Sequence, residues 1–128
     1  MPSDKPLDVF WSSFRTPFTA EEVRRCVPSD PGVYTLWAQQ KDRRWVCIYC
    51  GQASNMEAQL LEHLSSNETN EELRTILTNY ICGFVFAEMF NEEIRHGIVK
   101  FLYDHYKPEL NKEDPSGTPI EVKLPYTI

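Results

Sequence analysis

The sequence predicts an α/β domain of the α+β kind: a small antiparallel three-stranded sheet flanked by helices. Three observations predict it. Val33 to Ala38 and Trp45 to Cys50 are rich in strand-forming residues and are joined by the short charged loop Gln39 to Arg44, which reads as a hairpin. Ile81 to Met89 is a third run of the same kind. Helical periodicity with N-terminal capping signals fills the stretches around these strands.

The elements follow in order. Thr19 reads as a helix N-cap with Glu22 at the third helical position, a capping box, and Phe18 before it can staple onto Val23. Pro28 ends this helix, and Ser29-Asp30-Pro31-Gly32 reads as a turn into the first strand. Both hairpin strands are apolar on both faces, the mark of strands covered on two sides. Asn55 to Leu64 reads as a helix whose apolar face is Met56, Leu60, Leu61 and Leu64. After the polar break Ser65 to Glu68, Thr69 and Glu72 form a second capping box, and Leu73, Ile76, Leu77 and Tyr80 form a buried stripe. Asn91 caps the last helix, with Glu92 and Glu93 favourably placed in its first turn. Ile94, Ile98, Phe101, Leu102 and His105 supply its inner face, and Pro108 ends it.

A chain of 128 residues, 41% hydrophobic and 25% charged, fits one globular domain with its own core. Residues 1–9 are expected to be disordered, residues 10–111 to form the domain, and residues 112–128 to form a polar tail with Ile120 to Leu124 as a short edge strand. Phe10, Trp11 and Phe14 read as anchors onto the domain. No apolar run approaches the ~20 residues of a membrane-spanning helix, and no apolar signal-peptide core is present. A soluble, intracellular, cytoplasmic protein is expected, with its four cysteines reduced. The net charge of −6 argues against a general nucleic-acid binder, whose affinity rests on neutralising phosphates. A local basic patch of Arg24, Arg25, Lys41, Arg43 and Arg44 remains available to DNA or RNA.

Gly32-Val33-Tyr34 and Tyr49-Cys50-Gly51 sit on the two hairpin strands, a helix with the polar stripe Asn55, Gln59 and His63 follows, and Tyr106-Lys107-Pro108-Glu109-Leu110-Asn111 closes the last helix. This arrangement resembles the GIY-YIG nuclease superfamily over residues 31–111. The resemblance implies a small antiparallel sheet flanked by helices and a metal-dependent phosphodiester chemistry. It implies that Tyr34 helps to activate water, that Tyr49 shapes the site, and that His63 and Asn111 belong to it, with Gly51 permitting a close turn after the strand. Gln59 stands where the family keeps an arginine, and Val99 where it keeps a glutamate that binds one divalent metal. Glutamine brings no charge to a phosphoryl group, and valine cannot bind Mg2+ or Mn2+. Glu88 or Glu92 are the carboxylates within reach to replace the missing ligand, and Arg95 the cation to replace the arginine. The implied function is a GIY-YIG-like domain with impaired or absent nuclease activity that binds nucleic acid or a protein. The alternative is an active metal-dependent endonuclease with a divergent site.

Other signals are weaker. Cys47 and Cys50 form a CxxC, but residues i and i+3 of a strand face opposite sides, which is unsuited to clipping one metal. His96 and His105 read as surface and helix-end residues. A purely structural role would use Trp11, Trp37 or Trp45 to dock a protein partner.

Overall fold

The structure is a computed structural model that describes residues 6–125. The elements run α1 (Ala20–Cys26), β1 (Gly32–Gln39), β2 (Trp45–Ala53), α2 (Met56–His63), α3 (Glu71–Asn79), β3 (Cys82–Glu88) and α4 (Glu92–Tyr106). The strands form one antiparallel three-stranded sheet, as expected, and its order is β2-β1-β3 with β1 in the centre. No helix of the described residues is long and apolar enough to cross a membrane.

The sheet is covered on both faces because β1 alternates its side chains between two apolar clusters. Tyr34 and Leu36 face a cluster with Phe18, Val23, Met56, Leu60, Leu73 and Phe84. Val33 faces the other, with Cys50, Ala87, Ile98, Val99 and Leu102 from β2, β3 and α4. Thr35 and Trp37 are both buried, and the Trp37 indole N–H donates to the Thr35 hydroxyl at 2.8 Å. A bulge in β2 puts Ile48 as the extra residue opposite Leu36 and Trp37. The bulge lets the neighbours Ile48 and Tyr49 both pack on the first cluster, which strict alternation would forbid.

The caps follow the sequence with three changes. Thr19 and Asn91 each accept from the helix backbone as read, and Asn55, read as the first helical residue, is the N-cap of α2. Glu22, however, turns to Arg25 and Arg15 instead of completing its capping box. The third helix is capped by Asn70, one residue later than Thr69, and the Asn70 side chain accepts from Leu73 N at 3.1 Å. Tyr80 and His105, placed on buried faces by periodicity, are exposed, because the chain leaves α3 before Tyr80 and α4 turns His105 to solvent.

Both edges of the sheet are closed by irregular chain. At β3, Arg15 and Phe84 exchange two backbone hydrogen bonds, and Ser12 N donates to Phe86 O. At β2, α4 ends on Lys107 in the left-handed region, Pro108 follows, and the chain folds back. Leu110 N then donates to Ile48 O at 3.2 Å, and Asn111 grips Cys50. The Asn111 side-chain oxygen accepts from Cys50 N at 2.9 Å, and its amide nitrogen donates to Cys50 O at 2.8 Å. One side chain thus does the work of an adjoining strand residue.

Beyond Asn111 the tail crosses α4. Ile120 N donates to Gly97 O at 3.0 Å, and the buried Val122 bridges to Leu7. The segment expected as an edge strand therefore pairs with residue 7 and not with the sheet. Residues 1–5 of the segment expected to be disordered lie outside the described residues; Leu7 and Val9 pack on the α4-side cluster. Trp11 also packs there, and Phe14 lies edge-on to Trp45 at 4.8 Å, but Phe10 is 91% exposed and anchors nothing.

Asn111→Ala removes two hydrogen bonds and strips the buried Cys50 backbone of its partners. A loss of about 1–3 kcal/mol in urea unfolding is expected, with Asn111→Asp intermediate.

Candidate functional site

The two tyrosine motifs meet where β1 pairs with β2. Tyr34 pairs across the hairpin with Gly51, so the end of one motif lies directly opposite the end of the other. An open cleft of about 450 Å3 lies here, with Gln59 from α2, Val99 from α4 and Asn111 along its walls.

Gly51 lies inside β2, not in a turn after it. The reason is steric and comes from the neighbouring strand. A Cβ at residue 51 would stand 2.7 Å from the Tyr34 hydroxyl and 3.1 Å from the Tyr49 ring. Only glycine leaves room for the two rings, which stack with centroids 6.3 Å apart.

Behind the tyrosines lies a buried polar chain. The Tyr34 hydroxyl is 2.8 Å from His63 Nε2, and His63 Nδ1 is 2.5 Å from Glu68 Oε1. An ionised carboxylate only accepts, so Nδ1 carries the imidazole proton. In a neutral ring Nε2 is then left to accept the Tyr34 O–H. Glu68 is itself held, because its second oxygen accepts from Asn70 N at 3.2 Å. Asn70 Nδ2 in turn donates to Leu110 O at 2.7 Å, beside the Asn111 grip. The imidazole edge packs on both tyrosine rings, with centroids 5.7 and 5.0 Å away. Such a chain can accept the phenolic proton when Tyr34 takes one from a neighbouring molecule, with Glu68 stabilising the imidazolium.

Burial pushes the Tyr34 phenol well above its ordinary range, and the negative charge available to Tyr49, Cys50, Glu68 and Glu62 pushes the same way. Burial also raises Tyr49, with Glu68 adding to it. The Cys50 thiol is pushed up to about 12 by burial. Both phenols and this thiol are neutral at ordinary pH.

The remaining sequence-predicted residues take different places. Gln59 lines the cleft, and its side chain has no hydrogen-bond partner among the described residues. Val99 also lines it, presenting an isopropyl group. Asn111 reaches it too, but both its polar atoms are engaged by Cys50. Glu88 and Glu92 do not line it. Glu88 is exposed at the end of β3, where a hydrogen bond with Asp30 raises its carboxyl, and Glu92 is exposed with His96 at 3.5 Å. Arg95 is 5% exposed and cannot reach out as a replacement cation. It donates to Gln52 Oε1 at 2.9 Å and to the Met89 and Phe90 carbonyls at 3.2 and 3.0 Å. Lys41 to Arg44 form the hairpin tip, where Arg44 pairs with Asp42. Five strand residues separate Arg44 from Cys50, about 20 Å.

Sequence reasoning missed two features. Glu68 lies in an irregular segment five residues after His63, a spacing with no periodic signal. The tail residues Glu113 to Ser116 form one wall of the cleft, a placement fixed by packing across α4.

The comparisons with known proteins agree with this architecture. No family profile and no curated protein matches the chain. Solved structures of the GIY-YIG N-terminal endonuclease domain of UvrC from Thermotoga maritima do match. The form bound to magnesium, its catalytic divalent cation, is 26% identical, with a TM-score of 0.54 over 71% of this chain and 97% of that one. A tyrosine-to-phenylalanine point mutant of that domain is 25% identical, with a TM-score of 0.55 over 73% and 98%. An asparagine-to-alanine mutant is 24% identical at the same TM-score of 0.55. The chain has the GIY-YIG superfamily fold.

Buried neutral acids with raised pKa values predict the alkaline behaviour. Their stabilising effect is complete below the unfolded-state ranges, about 8.5 for a thiol and about 10 for a phenol. It is lost as pH rises, because the unfolded chain ionises first. Unfolding free energy should be level from neutral pH to about 8 and fall above it. Tyrosinate absorbance should show Tyr34 ionising only with alkaline unfolding, so Tyr34→Phe should remove one phenolate from that step alone. An earlier, native-state loss of absorbance in the variant would contradict the burial argument.

Proposed function

We propose that this chain is an intracellular GIY-YIG-like domain that binds nucleic acid with impaired or absent nuclease activity. One observation carries the reading. Gln59 and Val99, the positions where the resemblance expects an arginine and a metal-binding glutamate, line the same cleft as Tyr34 and Tyr49. Phosphodiester cleavage concentrates negative charge on the phosphoryl oxygens, and the groups that meet it are cations. Here an uncharged amide and an isopropyl group face that position.

The donor set argues the same way. Mg2+ takes hard oxygen ligands in near-octahedral geometry. Among the described residues, no group of three or more His, Cys, Asp or Glu could hold an ion. Of the acidic residues on the cleft wall, Asp114 is tied to Lys100 at 2.8 Å and Glu113 is a single exposed carboxylate, while Glu68 behind it is tied to His63 and Asn70. The residues present do not fit the divalent cation that the Thermotoga domain carries. Binding in place of cleavage is what the remaining surface can do. The tryptophans are a poor alternative for docking a protein: Trp37 is buried, and Trp11 and Trp45 pack against the domain's own chain.

A second reading is an active endonuclease, and the Tyr34–His63–Glu68 chain favours it, since a proton-accepting apparatus is of use in cleavage. One experiment separates the two. Labelled duplex, single-stranded and branched DNA, and RNA, are incubated with the protein and Mg2+ or Mn2+. The native chain should not cut, while Gln59→Arg with Val99→Glu should gain metal-dependent cutting. Each missing charge is worth a factor of about 10²–10³ in rate. Cutting by the native chain that is lost in Tyr34→Phe and weakened in Glu68→Gln would overturn the proposal in favour of the second reading.

A further inference from the structure

The cleft's outer wall is a strap, and the strap is acidic. Asn111 is fixed to Cys50 and Ile120 is fixed to α4, so residues 112–119 span the site between two anchors. The second anchor is tight. A Cβ at Gly97 would stand 2.5 Å from Ile120 Cδ1 and 2.9 Å from Thr118 O, so this face of α4 is shaped for the tail. The buried Val122 and a 2.8 Å hydrogen bond from the Trp11 indole to Lys123 O hold the chain beyond it.

Between the anchors the strap is held loosely. Glu113, Asp114 and Ser116 are exposed, and they line the cleft together with Pro115. Its side-chain ion pairs are those of Asp114 with Lys100 at 2.8 Å and, at its start, of Lys112 with Glu72 at 3.0 Å. Lys100 also meets Asp104 at 3.2 Å, and its side chain is 19% exposed. An exposed ion pair contributes about 0–1 kcal/mol, so the strap can leave without disturbing either anchor. Gly117, at φ +106 with nothing within 4 Å of its Cβ position, offers a place to bend.

We infer that residues 113–116 are an internal stand-in for a nucleic-acid backbone: the Asp114 carboxylate on the cleft wall occupies Lys100, one helical turn beyond the cleft-lining His96 on α4, and must yield it when nucleic acid enters. This rests on the nucleic-acid-binding reading and adds its regulation. The cation that Gln59 does not supply comes from α4, and it is masked in the closed form. Carboxylate and phosphodiester compete for the same ammonium, because each offers anionic oxygens at hydrogen-bond distance. The Glu113 carboxylate beside it repels phosphate until the strap moves.

The test is fluorescence anisotropy with a fluorescein-labelled single-stranded and a duplex DNA, read over a series of salt concentrations. Asp114→Asn should tighten binding several-fold and steepen the salt dependence by about one released counterion. Lys100→Gln in the Asp114→Asn background should cancel both changes. Glu21→Gln on α1 removes the same charge outside the cleft and measures the effect of net charge alone. Equal gains from Glu21→Gln and Asp114→Asn would overturn the masking while leaving nucleic-acid binding standing. Persistence of the gain without Lys100 would do the same. Absence of binding by every variant to either DNA would overturn both this inference and the reading beneath it.

Discussion

The two hydrogen bonds between the Asn111 side chain and the Cys50 backbone are the contact on which the rest of this site depends. They close the outer edge of β2, which would otherwise expose unpaired backbone groups. They also fix where the chain goes after α4. Because Asn111 is held there, Leu110 can accept from Asn70, Asn70 can cap α3 and steady Glu68, and Glu68 can orient His63. The same anchor launches the tail across the cleft. A short polar ending to the last helix thereby organises α3, the imidazole and the outer wall together.

The cleft separates two requirements that phosphodiester chemistry normally joins. Proton handling is intact in form: a buried phenol, an imidazole in a defined tautomer and a carboxylate behind it. The two positions where the resemblance expects charge, Gln59 and Val99, are neutral. Arg95, the cation the sequence offers in the arginine's place, is buried among neutral oxygens, and Val99 contributes packing against Cys50 and Ile98. The thiol–carbonyl contact from Cys50 to the Val99 backbone, at 3.9 Å, belongs to that packing. A carboxylate at residue 99 would have to turn outward into the cleft to avoid an apolar burial of several kcal/mol.

Much of the fold was readable because its signals are local. Thr19 and Asn91 announce helix starts through their own side chains, and the hairpin strands carry their burial in their composition. The site was readable through the spacing of Tyr34, Tyr49 and His63, which the hairpin register and α2 bring together. What sequence did not reveal is tertiary. Gly51 looks like a turn glycine until the Tyr34 ring opposite it is in place. Arg95 reads as a surface cation until Gln52 and two carbonyls converge on it. Glu68 has no periodic relation to His63, and the path of residues 112–124 depends on Gly97, a gap in a helix surface that hydrophobic periodicity does not mark.

The central claim is that this cleft lacks a site for a hard divalent cation. Amide NMR spectra during Mn2+ titration test it most directly, since a bound paramagnetic ion broadens the resonances around it. The account predicts no stoichiometric broadening centred on Tyr49, Gln59 and Val99 in the native chain, and its appearance there in Val99→Glu. Selective loss of those native resonances at about one equivalent of Mn2+ would contradict it.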